Sequence, residues 1–301
     1  MPSETSPKWW QRLFIPALHL LPHHPLSRAV QWLTRRESRL VKNLLIGSFI
    51  RLFRVDLTDA QSPHAGQYPS FNAFFTRSLR AGARPLDPDP TVVLCPVDGR
   101  LSQFGPITSG QLLQAKGHRY DLTALLGHDP RLADQFAGGT FATIYLSPRD
   151  YHRIHMPADG RLQTMHVIGG RLFSVNETST QLIPNLFVRN ERLVCVFETA
   201  AGPMALILVG ALFVGSIETV WSGPVTPPTD AGPPVTDQAE TISLARGAEM
   251  GRFNMGSTVI LIWPAGAVTW VDDLVPGRPM RMGEALGHLA AQPSLSDRES
   301  L

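Results

Sequence analysis

Residues 253–271 read FNMGSTVILIWPAGAVTWV, nineteen positions without a charge. A second uncharged run of the same length, TAAGPMALILVGALFVGSI, occupies residues 199–217. Each is long enough to raise the question of a membrane-spanning helix. Turn residues cut both: Gly256, Pro264 and Gly266 in the first, Gly202, Pro203, Gly210 and Gly215 in the second. The apolar content falls instead in short blocks rich in Val, Ile and Leu, Val259–Trp263 and Ala205–Val209. That is the pattern of buried strands joined by turns.

The same texture extends outward from about residue 91. Strands are expected at Thr91–Leu94, Thr140–Leu146, Leu162–Ile168, Leu193–Glu198, Met204–Leu208, Phe213–Val220, Ser257–Trp263 and Val268–Val271. Regular spacing with turn signals predicts an α+β chain whose body is a predominantly antiparallel β sandwich or barrel-like structure. Five prolines within 222–241 predict an exposed loop, and 289–301 a flexible tail. With 43% hydrophobic and 17% charged residues in 301, the chain is globular and not disordered. Two cysteines exclude a disulfide framework or a four-cysteine zinc site; Cys95 and Cys195 sit in apolar runs and read as buried thiols.

Charge is unevenly distributed. Residues 1–57 carry nine basic and three acidic side chains, while the remainder is slightly acidic. Basic residues interleaved with Leu, Val, Phe and Trp, and no nucleic-acid module, favour an anionic membrane surface as partner over nucleic acid. From Leu26 to Leu44 a helix is expected, with Leu26, Ala29, Val30, Leu33, Leu40, Val41 and Leu44 on one side and Arg28, Arg35, Arg39 and Lys42 on the other. Glu37 falls on the apolar side. Packing on the body with a solvated basic face is one reading of this helix; interfacial contact is the other. Trp9, Trp10, Phe14 and Ile15 place lipid contact in residues 9–21. No small-residue cleavage site follows the short apolar stretch, so no secretory signal is expected.

Three places could carry chemistry. Asp98 lies in the turn CPVDGR (95–100), where Asp-Gly by itself is ordinary turn chemistry. His152 and His155 lie in YLSPRDYHRIHMPADG (145–160); without a third ligand or HExxH they point away from a metal and toward acid–base work. Ser257 follows Gly256 at the opening of a buried strand. Asp, His and Ser far apart in a chain can converge as a nucleophile triad, although the GxSxG elbow is absent.

Taken with FNAFFTRSLRAGARPLD (71–87), QAKGHRYDLTALL (114–126), LFSVNETS (172–179), NLFVRNERLV (185–194), ILVGALFVGSIETVW (207–221) and MGRFNMGSTVI (250–260), these motifs make the chain resemble the bacterial phosphatidylserine decarboxylases from about Trp32 to Gly283. Met255 stands where that family commonly has leucine, a volume-conserving change. The resemblance implies an enzyme that cleaves itself between Gly256 and Ser257. Ser257 would attack the Gly256 carbonyl with His155 as base and Asp98 orienting the imidazole. The resulting ester would eliminate to a dehydroalanine, whose hydrolysis would leave a pyruvoyl group derived from Ser257, the covalent cofactor. Phosphatidylserine would be decarboxylated to phosphatidylethanolamine through a Schiff base to that group. His152 would serve the substrate, and His118 and Arg119 stand as further candidates for its phosphate or carboxylate.

The implied organisation is an amphipathic membrane-associating segment (1–57), a catalytic domain (58–288) and the tail (289–301). Cleavage would leave a β chain (1–256) and an α chain (257–301) held together as a heterodimer, with further dimerisation open, peripheral to the cell membrane on its cytoplasmic side. An inactive lipid-binding relative and a pyruvoyl decarboxylase of a soluble amino acid are the alternatives. Intact Asp98, His155, Gly256 and Ser257 oppose the first, and the basic amphipathic amino terminus opposes the second.

Overall fold

A computed structural model describes residues 23–115, 117–211, 216–225, 235–237, 242–254 and 257–290. Residues 1–22, with Trp9, Trp10 and Phe14, lie outside the described residues, as do Met255, Gly256 and 291–301. The run 257–263 is the strand Ser257–Trp263, buried at every position. It sits inside a nine-stranded sheet, between Thr140–Leu146 and Gly202–Val209, and pairs antiparallel with both. Large apolar side chains on both faces explain why it shows no polar alternation.

Outward on one side follow Arg192–Thr199, Gly160–Ile168 and Val235–Asp237; on the other follow Gly99–Pro106 and Pro279–Met280. Ser243–Leu244 also pairs with Gly160–Ile168. Among the described residues the order is linear and its ends do not pair, so the strands described do not form a closed barrel. Further small sheets join Gly223–Val225, Ile217–Thr219, Glu249–Phe253 and Arg153–His155, and Val92–Leu94, Ala285–Leu289 and Val268–Trp270. The proline-rich stretch is therefore not wholly loop: Gly223–Val225 and Val235–Asp237 are short strands within it. Leu289, expected to open the tail, ends a strand. Cys95 and Cys195 are free and buried, and burial pushes the Cys95 thiol up to about 12.

The helix expected over 26–44 is two helices, His23–Thr34 and Arg39–Phe53, with Glu37 exposed in the break between them. The break resolves the acidic residue that a continuous helix would place on its apolar side. It also turns the second helix over. Lys42 is buried, its Nζ donating to the Gly66 carbonyl at 3.0 Å, while Leu40 is 84% and Leu44 71% exposed. The buried side of this helix is Ile46, Phe49, Ile50 and Phe53, packed with Tyr68, Phe71, Phe74 and Phe75 in an aromatic subcore separate from the main core. Among the described residues, no helix is long and apolar enough to cross a membrane.

Candidate active site

Ser257 is fully buried at the head of the central strand, in register with Leu146. Its Oγ has no hydrogen-bond partner among the described residues. Three positions earlier, the buried Asn254 is fixed on all sides. Its Nδ2 donates to Ser216 Oγ (2.7 Å), the Ser216 carbonyl (3.1 Å) and Glu218 Oε1 (3.1 Å), and its Oδ1 accepts from Asn72 (3.0 Å). Positions 255 and 256 thus connect two anchored residues. Helix His23–Thr34 is tied to the same cluster: Gln31 Nε2 and, just beyond the helix, Arg35 Nη2 donate to Ser216 Oγ at 3.5 and 3.4 Å.

His155 ends the strand Arg153–His155, and its amide donates to the Pro96 carbonyl at 2.8 Å. Its Nδ1 lies 2.8 Å from the Gly247 carbonyl oxygen and its Nε2 3.0 Å from the Tyr151 hydroxyl. A carbonyl can only accept, so the network places the proton on Nδ1 and leaves Nε2 a lone pair that accepts from Tyr151. Burial lowers the pKa of His155, opposed by the Gly247 hydrogen bond and by the charges of Glu249 and Asp98. The ring is a neutral base.

Asp98 precedes the strand Gly99–Pro106 and is nearly buried. Arg84 Nε donates to both carboxylate oxygens, at 2.9 and 3.1 Å, and the Met282 amide donates at 2.9 Å. Arg84 also binds Asp59 at 2.8 Å, and its hydrogen bonds to Asp98 and Asp59 raise its pKa further. Asp98, Asp59, Arg77, Arg84, Arg149 and Tyr151 border a pocket of about 270 Å³. A larger opening of about 420 Å³, beside Asp159, Arg161 and Glu198, lies at the far end of the sheet and includes none of the candidate residues.

His152 is fully buried and stacked on Phe75, centroids 4.1 Å apart and planes 21° from parallel. Among the described residues neither ring nitrogen has a hydrogen-bond partner by geometry, while the nearby backbone of Pro148 and Ser147 favours the protonated form. Burial, then the positive charge of Arg77, pushes its pKa down to about 3. Arg77 is itself buried and donates to the carbonyls of Arg149 (2.9 Å) and Asp150 (3.3 Å), closing the loop that carries His152.

The Pro96–His155 backbone bond brings Asp98 and His155 onto adjoining segments. No hydrogen bond joins the Asp98 carboxylate to the imidazole, or the imidazole to Ser257, among the described residues. Gly256 lies outside the described residues. His118 bonds the Gln181 carbonyl at 2.9 Å and Arg119 is exposed; among the described residues no hydrogen bond joins either to the other candidates. No cluster of three metal-binding side chains occurs among the described residues. Sequence reading passed over Arg84, Tyr151, Gly247 and Asn254. Tyr151 and His155, four apart, carried a faint signal; a backbone carbonyl such as that of Gly247 leaves none.

The family model for phosphatidylserine decarboxylase matches residues 71–288, and a second model, PSD, matches 13–54. Phosphatidylserine decarboxylase proenzymes of Pseudomonas fluorescens and Ectopseudomonas mendocina are 52% and 51% identical to the chain. The matches cover 92% of this chain and 97% and 98% of those proteins. The proenzyme of Bordetella avium is 49% identical over 94% of this chain and 98% of its own length.

Proposed function

The chain belongs to the phosphatidylserine decarboxylase family, and from that premise we propose that it is a proenzyme that cuts itself at Gly256–Ser257 and then converts phosphatidylserine to phosphatidylethanolamine and carbon dioxide. Ser257 carries the reading. A buried hydroxyl without a partner costs about 1–3 kcal/mol, and a core strand would bear it more cheaply as alanine. Its place directly after a glycine suits attack on the preceding carbonyl and suits a pyruvoyl group at the same position. That group, once formed, supplies the ketone that condenses with the substrate amine and acts as electron sink.

Ser257 Oγ is the nucleophile and His155, neutral with a lone pair on Nε2, takes its proton. Tyr151 must release Nε2 for that to happen. Gly247 supplies the orientation that a triad aspartate usually gives, while Asp98 acts through its charge, favouring the imidazolium as it forms. His152, backed by Phe75 and with both nitrogens free, is the group offered to the substrate headgroup.

The same proposal places the protein at the cytoplasmic surface of the membrane. Exposed Trp32, Leu33, Leu40, Leu44 and Leu52 share the two helices with exposed Arg28, Arg39 and Arg51, and exposed Arg36 lies in the break between them, a composition suited to anionic lipid.

Denaturing mass spectrometry tests the reading. Two fragments, 1–256 and 257–301, are expected without added protease, the smaller lacking a free amine and reacting with hydrazine reagents. Ser257→Ala stays full length. An intact wild-type mass, or a Ser257→Ala chain that still splits, overturns it.

A further inference from the structure

Glu191 is a buried acid with no role in the chemistry so far. It is 5% exposed, and burial alone pushes its pKa up to about 8. Among the described residues its carboxyl has no hydrogen bond, and no charged group shares in that shift. Arg192, its neighbour, turns to the opposite face and donates to the carbonyls of Leu125 and Ala124, each at 2.7 Å. The guanidinium of Arg189 lies over Phe173, 4.8 Å from the ring centre.

The strand register gives Glu191 its place. Arg192 pairs with Val209 and Val209 with Thr258. One step toward the end of the sheet, the ladder puts Glu191, Gly210, Ser257 and Leu146 in a single row. The Gly210 amide donates to the Glu191 carbonyl at 2.9 Å, and the Gly210 carbonyl accepts from Asn190 at 2.9 Å, so the row is fixed. Residues opposite one another in an antiparallel sheet share a face. Gly210 leaves that face open: a Cβ there would lie 2.9 Å from Glu191 Cγ and 3.1 Å from its Oε1. The carboxyl therefore lies over the glycine, on the face that Ser257 shares, with two strand spacings of about 10 Å between the Glu191 and Ser257 backbones.

We propose that Glu191, reaching across Gly210, is a hydrogen-bond donor to the side-chain oxygen at position 257 and thereby positions it for reaction. This rests on the self-cleaving reading above. As a neutral acid, Glu191 donates to Ser257 Oγ and leaves that hydroxyl's own proton free to turn toward His155. The later elimination carries Oγ away with the Gly256 carboxylate, so this role belongs to the cleavage step. An ionised Glu191 would instead accept the Ser257 proton and compete with the base.

The test follows fragment formation during cell-free synthesis, with melting of each variant measured in a Ser257→Ala background. Glu191→Ala is expected to slow cleavage on the order of tenfold at pH 7, and Glu191→Gln, which still donates, to stay within about threefold of wild type. The wild-type rate should fall as pH rises through about 8, where Glu191 loses its proton, and the glutamine variant should lack that fall. Gly210→Ala, which displaces the carboxyl, should resemble Glu191→Ala. Cleavage of Glu191→Ala at the wild-type rate, or an alkaline fall retained in Glu191→Gln, overturns the assignment. So does a glutamine variant as slow as alanine when the two melt alike. A wild-type chain that never splits overturns the functional reading and this proposal together.

Discussion

The Nδ1 of His155 is held by the Gly247 carbonyl at 2.8 Å, and among the described residues no carboxylate hydrogen-bonds to that imidazole. Asp98 and His155 should therefore be unequal. With the tautomer secured by backbone, Asp98→Asn removes a charge but not the base, and cleavage should slow on the order of tenfold. His155→Ala should stop it. Time courses of fragment appearance distinguish the two; equal defects would show that the carboxylate is as necessary as the ring.

Asp98 and Arg84 form a pair nearly closed to solvent. Removing one partner leaves a buried charge uncompensated, which costs about 3–5 kcal/mol. Arg84→Met in a Ser257→Ala background should lose stability of that order in urea unfolding. The double change with Asp98→Asn should recover part of it. Simple additivity would mean that the two side chains do not stabilise each other.

His152 makes the fold sensitive to acid. Its pKa is about 3 when folded against 6.5 for an unperturbed histidine. Below about 6.5 the unfolded chain takes up a proton that the folded chain refuses, so stability should fall from there toward pH 3. His152→Phe in the uncleavable background should flatten the dependence of melting temperature on pH between 7 and 4.5. His152→Ala in the active chain should still cleave while decarboxylating poorly. An unchanged acid slope in the phenylalanine variant would show that other groups set it.

Leu40, Leu44 and Leu52 face solvent, so replacing all three by serine should leave melting and self-cleavage unaltered. At about 1 kcal/mol for each partly inserted side chain, binding to phosphatidylserine vesicles should weaken on the order of a hundredfold. Turnover of vesicle lipid should fall far more than turnover of a short-chain soluble phosphatidylserine. Equal loss on both substrates, or a large drop in melting temperature, would assign the leucines to the fold.

The central strands were legible because composition alone marks them: Thr140–Leu146 and Ser257–Trp263 were delimited to the residue. Short strands such as Arg153–His155 and Glu249–Phe253 were not, since they are polar, brief and formed by their partners. The second helix was misjudged for a related reason. Periodicity separates two faces but does not say which is buried, and the aromatic subcore chose the side carrying Lys42. At the site, Asp98, His152, His155 and Ser257 stood out by residue type, and motif resemblance supplied the roles proposed for them. What holds them was hidden, because carbonyl contacts and strand neighbours arise only on folding.

The strand Ser257–Trp263 begins one bond after the proposed cut, yet it lies in the interior of the large sheet. The chain that follows it pairs again with Arg100 through Pro279 and with Val92–Leu94 through Ala285–Leu289. If the chain is cut there as proposed, the cut changes the order of the folding reaction. An intact chain regains this sheet in a first-order process, independent of dilution. Two fragments must first meet, so their refolding becomes second order and fails at low concentration. On the proposed reading, self-cleavage would be an irreversible record of assembly: a molecule carrying the cut would hold a sheet it could not readily rebuild.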